Sequence, residues 1–237
     1  MNVTLPALRP PSVHRVPRAR LVDRLDELRR LTRGRRVIDL GFVDEGQMES
    51  KGSRGSWLHA VLATEARELV GVDADAGGVE RARAHGYEAY AADVESRAEI
   101  GDLDLEPADA VVAGELVEHL DRPGDFLEAV KPLVAADGVL VLTTPNAHSL
   151  TNVLGAFAGR ELVNPDHVAW LSWRTLATLL GRHGWTVEAL AYYRFPRVQG
   201  GALPPRLLFN GYQTAALPLF HWRPNLADGI LVVARLA

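Results

Sequence analysis

The stretch Val37-Ile38-Asp39-Leu40-Gly41 decides the reading of this chain. Three apolar residues with an acid set among them run into a glycine, the sequence form of a buried strand that stops at a tight turn. Leu69-Val70-Gly71-Val72-Asp73 repeats the form thirty residues on. Tyr87–Ala91, Asp109–Ala113 and Gly138–Thr143 continue it. Helical patterns lie between them at Trp57–Arg67, Gly78–His85 and Asp125–Val134. Apolar strands without polar alternation suit a sheet covered on both faces, and regular strand–helix alternation predicts a parallel α/β sheet. Trp173–His183 reads as a further helix, and Thr186–Tyr192 and Ile230–Ala234 as late strands.

Outward from this core, Met1–Pro17 carries four prolines and reads as a surface arm. Arg20–Arg33 places Leu21, Leu25, Leu28 and Leu31 at helical spacing, which predicts one amphipathic covering helix ending at Gly34. Its arginines alternate with Asp23, Asp26 and Glu27, so intrahelical pairs explain the mixture better than a nucleic-acid patch. Phe195–Asp228 is read as an irregular, aromatic-rich insertion between the last two strands, with the role of a lid or of a homodimer surface. The expected organisation is one domain: arm and helix over 1–34, core over 36–194, insertion over 195–228 and a last strand over 229–237.

Composition narrows the function classes. The chain has 237 residues, 47% of them apolar, enough for a sizeable core. It has no cysteine, which removes disulfides, thiolate nucleophiles and Cys-ligated zinc. With 26 Lys+Arg against 30 Asp+Glu the net charge is −4, which speaks against a nucleic-acid partner. No apolar run reaches the ~18 residues of a membrane span, so a soluble, cytoplasmic protein without a membrane partner is expected.

Ligands of open α/β sheets bind beyond the carboxyl ends of the strands. There Asp73 is placed to accept two hydrogen bonds from a ribose diol, and Gly41 lets backbone approach a ligand. A dinucleotide fold would need G-x-G-x-x-G in the first loop to seat a pyrophosphate. The loop here, Gly41-Phe42-Val43-Asp44-Glu45-Gly46, carries two acids that would repel one. Ser56 is a plausible N-cap for the helix that follows.

Val37–Gly41, Val70–Asp73, Ala92-Asp93-Val94, Glu115–Leu120, Leu140–Asn146 and the Ser172-Trp173-Arg174 helix start, as an ordered set, resemble the motifs of class I S-adenosylmethionine-dependent methyltransferases. The similarity runs from about Arg36 to Leu190 and is nearest in flavour to ubiquinone-pathway and sugar or natural-product O-methyltransferases. It implies a Rossmann-like, seven-stranded sheet whose last strand is antiparallel, with helices on both faces. It also implies S-adenosylmethionine as cofactor, with Asp73 on the ribose, Asp93 near the adenine amine and Gly41 at the methionine part. Asp39, Ala74, Val94 and Glu115 complete that set. The implied reaction is O-methylation of a small-molecule acceptor: a sugar, natural product or quinone-type compound. Phe42 and Val43 depart from the family's Gly-Cys-Gly-x-Gly loop, as do the extra residues Gln47 to Gly55, which leaves a non-catalytic binding protein as an alternative.

Glu115, Glu118 and His119 form a second constellation. On one helical turn, positions i, i+3 and i+4 share a face, and His167 follows on a loop at the same sheet edge. Two carboxylates and two imidazoles suit a divalent ion such as Mg, Mn or Fe. The pattern resembles the metal set of small-RNA 3′-terminal 2′-O-methyltransferases, which would make the acceptor a vicinal diol such as an RNA terminus. The alternative makes His119 or His167 the general base that takes the hydroxyl proton.

Overall fold

The structure is a computed structural model and describes residues 13–43, 57–196 and 203–237. The expectations placed on 1–12, on Asp44–Ser56 (including the Ser56 cap) and on 197–202 lie outside the described residues.

Eight strands form one sheet: β1 (Arg20–Val22), β2 (Arg36–Leu40), β3 (Glu68–Asp73), β4 (Glu88–Ala91), β5 (Ala108–Gly114), β6 (Val134–Pro145), β7 (Trp185–Tyr193) and β8 (Gly229–Leu236). Their order is β1-β7-β8-β6-β5-β2-β3-β4. All pairings are parallel except those of β8, which runs antiparallel to both β6 and β7. The expected antiparallel last strand is present. The expected count of seven is corrected to eight, because Arg20–Val22 is not helical but pairs with Ala191–Tyr193 along the outer edge of β7.

The reason is local as well as tertiary. Asp23 accepts a hydrogen bond from Asp26 N at 3.1 Å, so the helix starts only at α1 (Arg24–Thr32). Upstream, Arg20–Val22 satisfies backbone groups that β7 would otherwise leave unpaired. The expected ion pairs do form on α1: Arg29 with Asp26 at 2.9 Å and Arg30 with Glu27 at 2.8 Å.

The remaining α-helices among the described residues are α2 (Leu58–Ala63), α3 (Ala76–Ala84), α4 (Arg97–Asp102), α5 (Pro123–Ala129), α6 (Leu150–Phe157), α7 (Trp173–Arg182), α8 (Leu203–Ala215) and α9 (Leu217–Trp222). One sheet face is covered by α5, α7 and α9 through Phe126, Leu127, Leu176, Leu180 and Phe220. The other is covered by α1 and α2 through Leu28, Leu31 and Leu62. Burial of Val37, Ile38, Leu40, Val70 and Val72 between these layers explains why their strands lack polar alternation.

The reading of 195–228 as irregular is corrected. Its described part holds α8, α9 and a 3₁₀ turn over Pro224–Leu226. Its prolines open helices rather than break them: Pro218 and Pro224 each lie in a first turn, where the missing N–H costs nothing. Phe220 is fully buried in the main core, which anchors this segment to the sheet.

Candidate functional site

The carboxyl ends of the parallel strands open into a cleft of about 1000 Å³. Its deep side lies where the strand order reverses, between β2 and β5. Asp39, Gly41, Asp73, Ala74, Asp93, Val94 and Glu115 all line it, so the residues assigned to the cofactor from sequence meet in one wall. Glu118, His119 and His167 line the same cleft.

The turn after β2 explains how a non-family loop is accommodated. Gly41 keeps φ +66°, and a Cβ there would sit 2.7 Å from Leu116 Cδ1. Phe42 and Val43 turn inward and form a small core with Trp57, Val79, Ala82 and Ala89. Trp57 Nε1 donates to Phe42 O at 2.8 Å, which satisfies a carbonyl buried by that packing. The two side chains that stand at the Cys and second Gly places of the Gly-Cys-Gly-x-Gly loop therefore pack into a small core at the edge of the cleft, which both also line.

Asp73 ends β3, where Oδ2 accepts from Val43 N at 2.8 Å and Oδ1 from Asp75 N at 2.9 Å. Each oxygen retains a lone pair for a ligand hydroxyl. Burial pushes the Asp73 carboxyl up, and the two N–H groups oppose that shift. Asp93 Oδ1 accepts from Glu95 N at 2.8 Å and faces Arg122 at 3.9 Å.

Glu115 departs from the sequence expectation. It adopts φ +58°, a left-handed conformation costly for a residue with a Cβ, and so leaves the helical face it was expected to share with Glu118 and His119. Only Val117–His119 form a turn of 3₁₀ helix. Glu115 N donates to Thr143 O at 2.8 Å, and its carboxylate pairs with Arg24 at 3.2 Å and accepts from Tyr193 OH at 3.0 Å. Gly114 makes room for this, since a Cβ there would meet Leu58 at 2.5 Å and the Arg24 guanidinium at 2.9 Å. The four-residue metal set is thereby corrected to three. Glu118, His119 and His167 bring one ligand atom each within 4.8 Å of one another, without Glu115.

His167 reaches this place because its loop is pinned: Val168 N and Ala169 N donate to Glu118 O at 2.9 and 3.2 Å. The His119 and His167 rings meet edge to face at 4.6 Å. Burial, reinforced by the His119 charge, lowers the His167 pKa and favours its neutral form. Glu118 is 1% exposed, and among the described residues its carboxylate oxygens make no hydrogen bond of good geometry, although the Thr144 hydroxyl weakly favours the charged form. Burial pushes its carboxyl up to about 8, and the Glu115 charge adds to the shift.

Several site residues carried no usable signal in the sequence. Arg24 sits in a run of helix arginines. His59 reads as one residue of a helix, yet its Nδ1 lies 2.9 Å from Oδ2 of the cleft-lining Asp39, with both side chains buried. Asp228 lies in the stretch read as irregular and lines the cleft from the start of β8.

A family model described as a methyltransferase domain matches residues 13–190. A ubiquinone biosynthesis O-methyltransferase of Burkholderia orbicola (strain MC0-3) is 32% identical over 131 residues, 55% of this chain and 52% of the relative. The match thus spans about half the length of that curated relative. Among solved structures, a SAM-dependent methyltransferase from Archaeoglobus fulgidus has TM-score 0.53 at 18% identity, covering 89% of this chain and 91% of its own. Magnesium protoporphyrin IX methyltransferase from Synechocystis PCC 6803, solved with bound SAH, has TM-score 0.54 at 14% identity over 90% and 82%. At such identities the likeness is one of fold.

Proposed function

The chain belongs to the methyltransferase-domain family, with the class I S-adenosylmethionine-dependent fold, and from that premise we propose that it methylates a hydroxyl of a small-molecule acceptor, of sugar, natural-product or quinone type. The observation that carries the reading is the single cleft in which Asp73, Gly41 and Asp93 share a wall with the His119–His167 pair. The Burkholderia relative, a ubiquinone O-methyltransferase, supports a hydroxyl as the methylated group.

When bound, S-adenosylmethionine supplies an electrophilic methyl group on a sulfonium. This chain's residues do the rest. Asp73 accepts hydrogen bonds from the ribose hydroxyls, and Gly41 admits the methionine part against bare backbone. His167, held neutral by its surroundings, or His119 beside it, takes the acceptor proton as the new C–O bond forms. Much of the acceleration comes from holding oxygen, methyl carbon and sulfur in line. The test is turnover of S-adenosylmethionine with a panel of phenols, sugars and quinols, read by mass spectrometry. Methyl found on nitrogen or carbon, or none transferred by protein that binds the cofactor, overturns the proposal.

A second reading rests on the three convergent ligand atoms. The unpartnered Glu118 oxygens and two imidazoles fit a divalent ion such as Mg, Mn or Fe, which would polarise the hydroxyls of a vicinal diol. An RNA terminus is the weaker form of this reading, given the net charge of −4. The two readings separate in chelator: a general-base enzyme keeps full activity in EDTA, whereas a metal-assisted one loses it and keeps its cofactor affinity.

A further inference from the structure

Asp228 is a buried acid that the transfer step does not use. It stands where β6 ends and β8 begins, with its backbone fixed by Asn146, whose N donates to Asp228 O at 2.8 Å. Its side chain is fixed as firmly. Oδ2 accepts from Gln213 Nε2 at 2.6 Å and from Phe195 N at 3.0 Å. Both of these bonds fall on Oδ2, and the Thr151 hydroxyl, which lines the same cleft, also hydrogen-bonds the carboxyl; Oδ1 is the oxygen that neither Gln213 nor Phe195 holds.

This arrangement is costly. Asp228 is 4% exposed and makes no ion pair within 4 Å among the described residues; burial pushes its carboxyl up, and Gln213, Phe195, the more distant Arg194 charge and Thr151 offset that shift only in part. A carboxylate buried without a cation is unfavourable unless something completes its hydrogen bonding. Gln213 adds to the cost, because holding Asp228 leaves its own Oε1 buried without a partner. A clamp between α8 and the strand end needs only a neutral acceptor, which an asparagine would provide without burying a charge. The aromatic surfaces of Phe195 and Phe209 line the cleft on the same side.

We propose that Asp228 is a specificity-determining residue of the acceptor site: its Oδ1 receives an O–H or N–H of the acceptor, on a group other than the one methylated, while Phe195 and Phe209 cover the acceptor's apolar body. The acceptor class is therefore an aromatic or apolar hydroxyl compound carrying a second hydrogen-bond donor. This rests on the methyltransferase reading and narrows its substrate.

The test uses D228N and three probes of one shape: tyrosol, tyramine and 4-ethylphenol. They share the 4-ethylphenol frame and differ only in whether the chain end carries hydroxyl, ammonium or hydrogen. In D228N the amide oxygen can still accept from Gln213 and Phe195, while the cleft-facing atom turns from acceptor to donor. Affinities are measured by ligand-observed NMR on protein loaded with S-adenosylhomocysteine. Wild type should bind tyrosol or tyramine about tenfold tighter than 4-ethylphenol, because a site built for a donor rejects the analogue lacking it. In D228N that preference should vanish, with cofactor affinity and melting temperature unchanged. Equal binding of the three probes by wild type, no binding of any, or an undiminished preference in D228N overturns the subsite. So does a D228N protein that loses stability and all binding together, since that is the behaviour of a clamp. Failure of wild type to bind S-adenosylmethionine would instead overturn the methyltransferase reading.

Discussion

At the scale of single residues the site is made of acids held in three different states by their surroundings. Asp73 accepts two backbone N–H groups and stays available to a diol. Losing such a charge-assisted contact costs on the order of 1.5–3 kcal/mol. Asp73→Ala should therefore weaken S-adenosylmethionine binding by roughly 10- to 100-fold in titration calorimetry; unchanged affinity in a folded variant removes Asp73 from the ribose. Glu115 is tied down by Arg24 and Tyr193. Glu118 has no ion-pair partner among the described residues and a carboxyl that burial raises to about 8. With its pKa raised, Glu118 keeps a proton in the folded chain that the unfolded chain releases above about pH 4.5. Stability from this group is complete below that value and is lost as pH rises towards 8. In EDTA, Glu118→Gln should flatten the fall in melting temperature between pH 5 and 8. A parallel fall in both proteins would show that Glu118 is ionised throughout.

At the scale of elements, legibility followed the range of the interactions that fix each one. Val37–Leu40 and Leu69–Asp73 were readable because burial on both faces selects their residue types directly. Asp73, Asp93 and Gly41 were readable with them, because each sits where a strand ends. Arg20–Val22 was not, since its pairing partner lies at Ala191–Tyr193, some 170 positions away. Glu115 left its expected face for a similar reason: Arg24 and Thr143, both distant in sequence, hold its backbone at φ +58°. The helices of 203–222 were hidden by prolines whose meaning depends on whether they begin or interrupt a turn. That segment is now open to a sharper experiment. Phe220 is fully buried and Tyr212 OH accepts a hydrogen bond from Thr151 Oγ1 at 3.0 Å, whereas Phe209 lines the cleft. Phe209→Ala should raise the acceptor KM severalfold with little change in cofactor affinity. Phe220→Ala should lower stability by about 3–5 kcal/mol, the cost of emptying an aromatic core site. A Phe209→Ala protein altered only in its mass by light scattering would mark α8 as a surface between two copies of the chain.

At the scale of the whole molecule, one ligand should bind where all the parallel strands end, and its binding should stabilise the sheet as a unit. Among the described residues no helix is long and apolar enough to cross a membrane. A ligand that binds only the folded chain adds about 2.7 kcal/mol at a concentration of 100 Kd. For a chain of this size each kcal/mol moves the melting temperature by about 2–4 °C. S-adenosylhomocysteine at that level should therefore raise the midpoint by roughly 5–10 °C. NAD should not. A pyrophosphate needs bare backbone N–H groups at the first turn, and here Phe42 and Val43 put side chains into the cleft wall while Val43 N is already bonded to Asp73. The same comparison probes how the N-terminal helix is coupled to the ligand. Arg24 reaches from α1 to Glu115 and to Thr143 Oγ1 at 3.1 Å, in the wall beside Gly41. If that contact carries ligand binding through to the covering layer, Arg24→Met should lower the S-adenosylhomocysteine shift more than it lowers the midpoint of the free protein. Equal losses would mean that Arg24 only fastens the helix, and a shift with NAD as large as that with S-adenosylhomocysteine would overturn the assignment of the cleft.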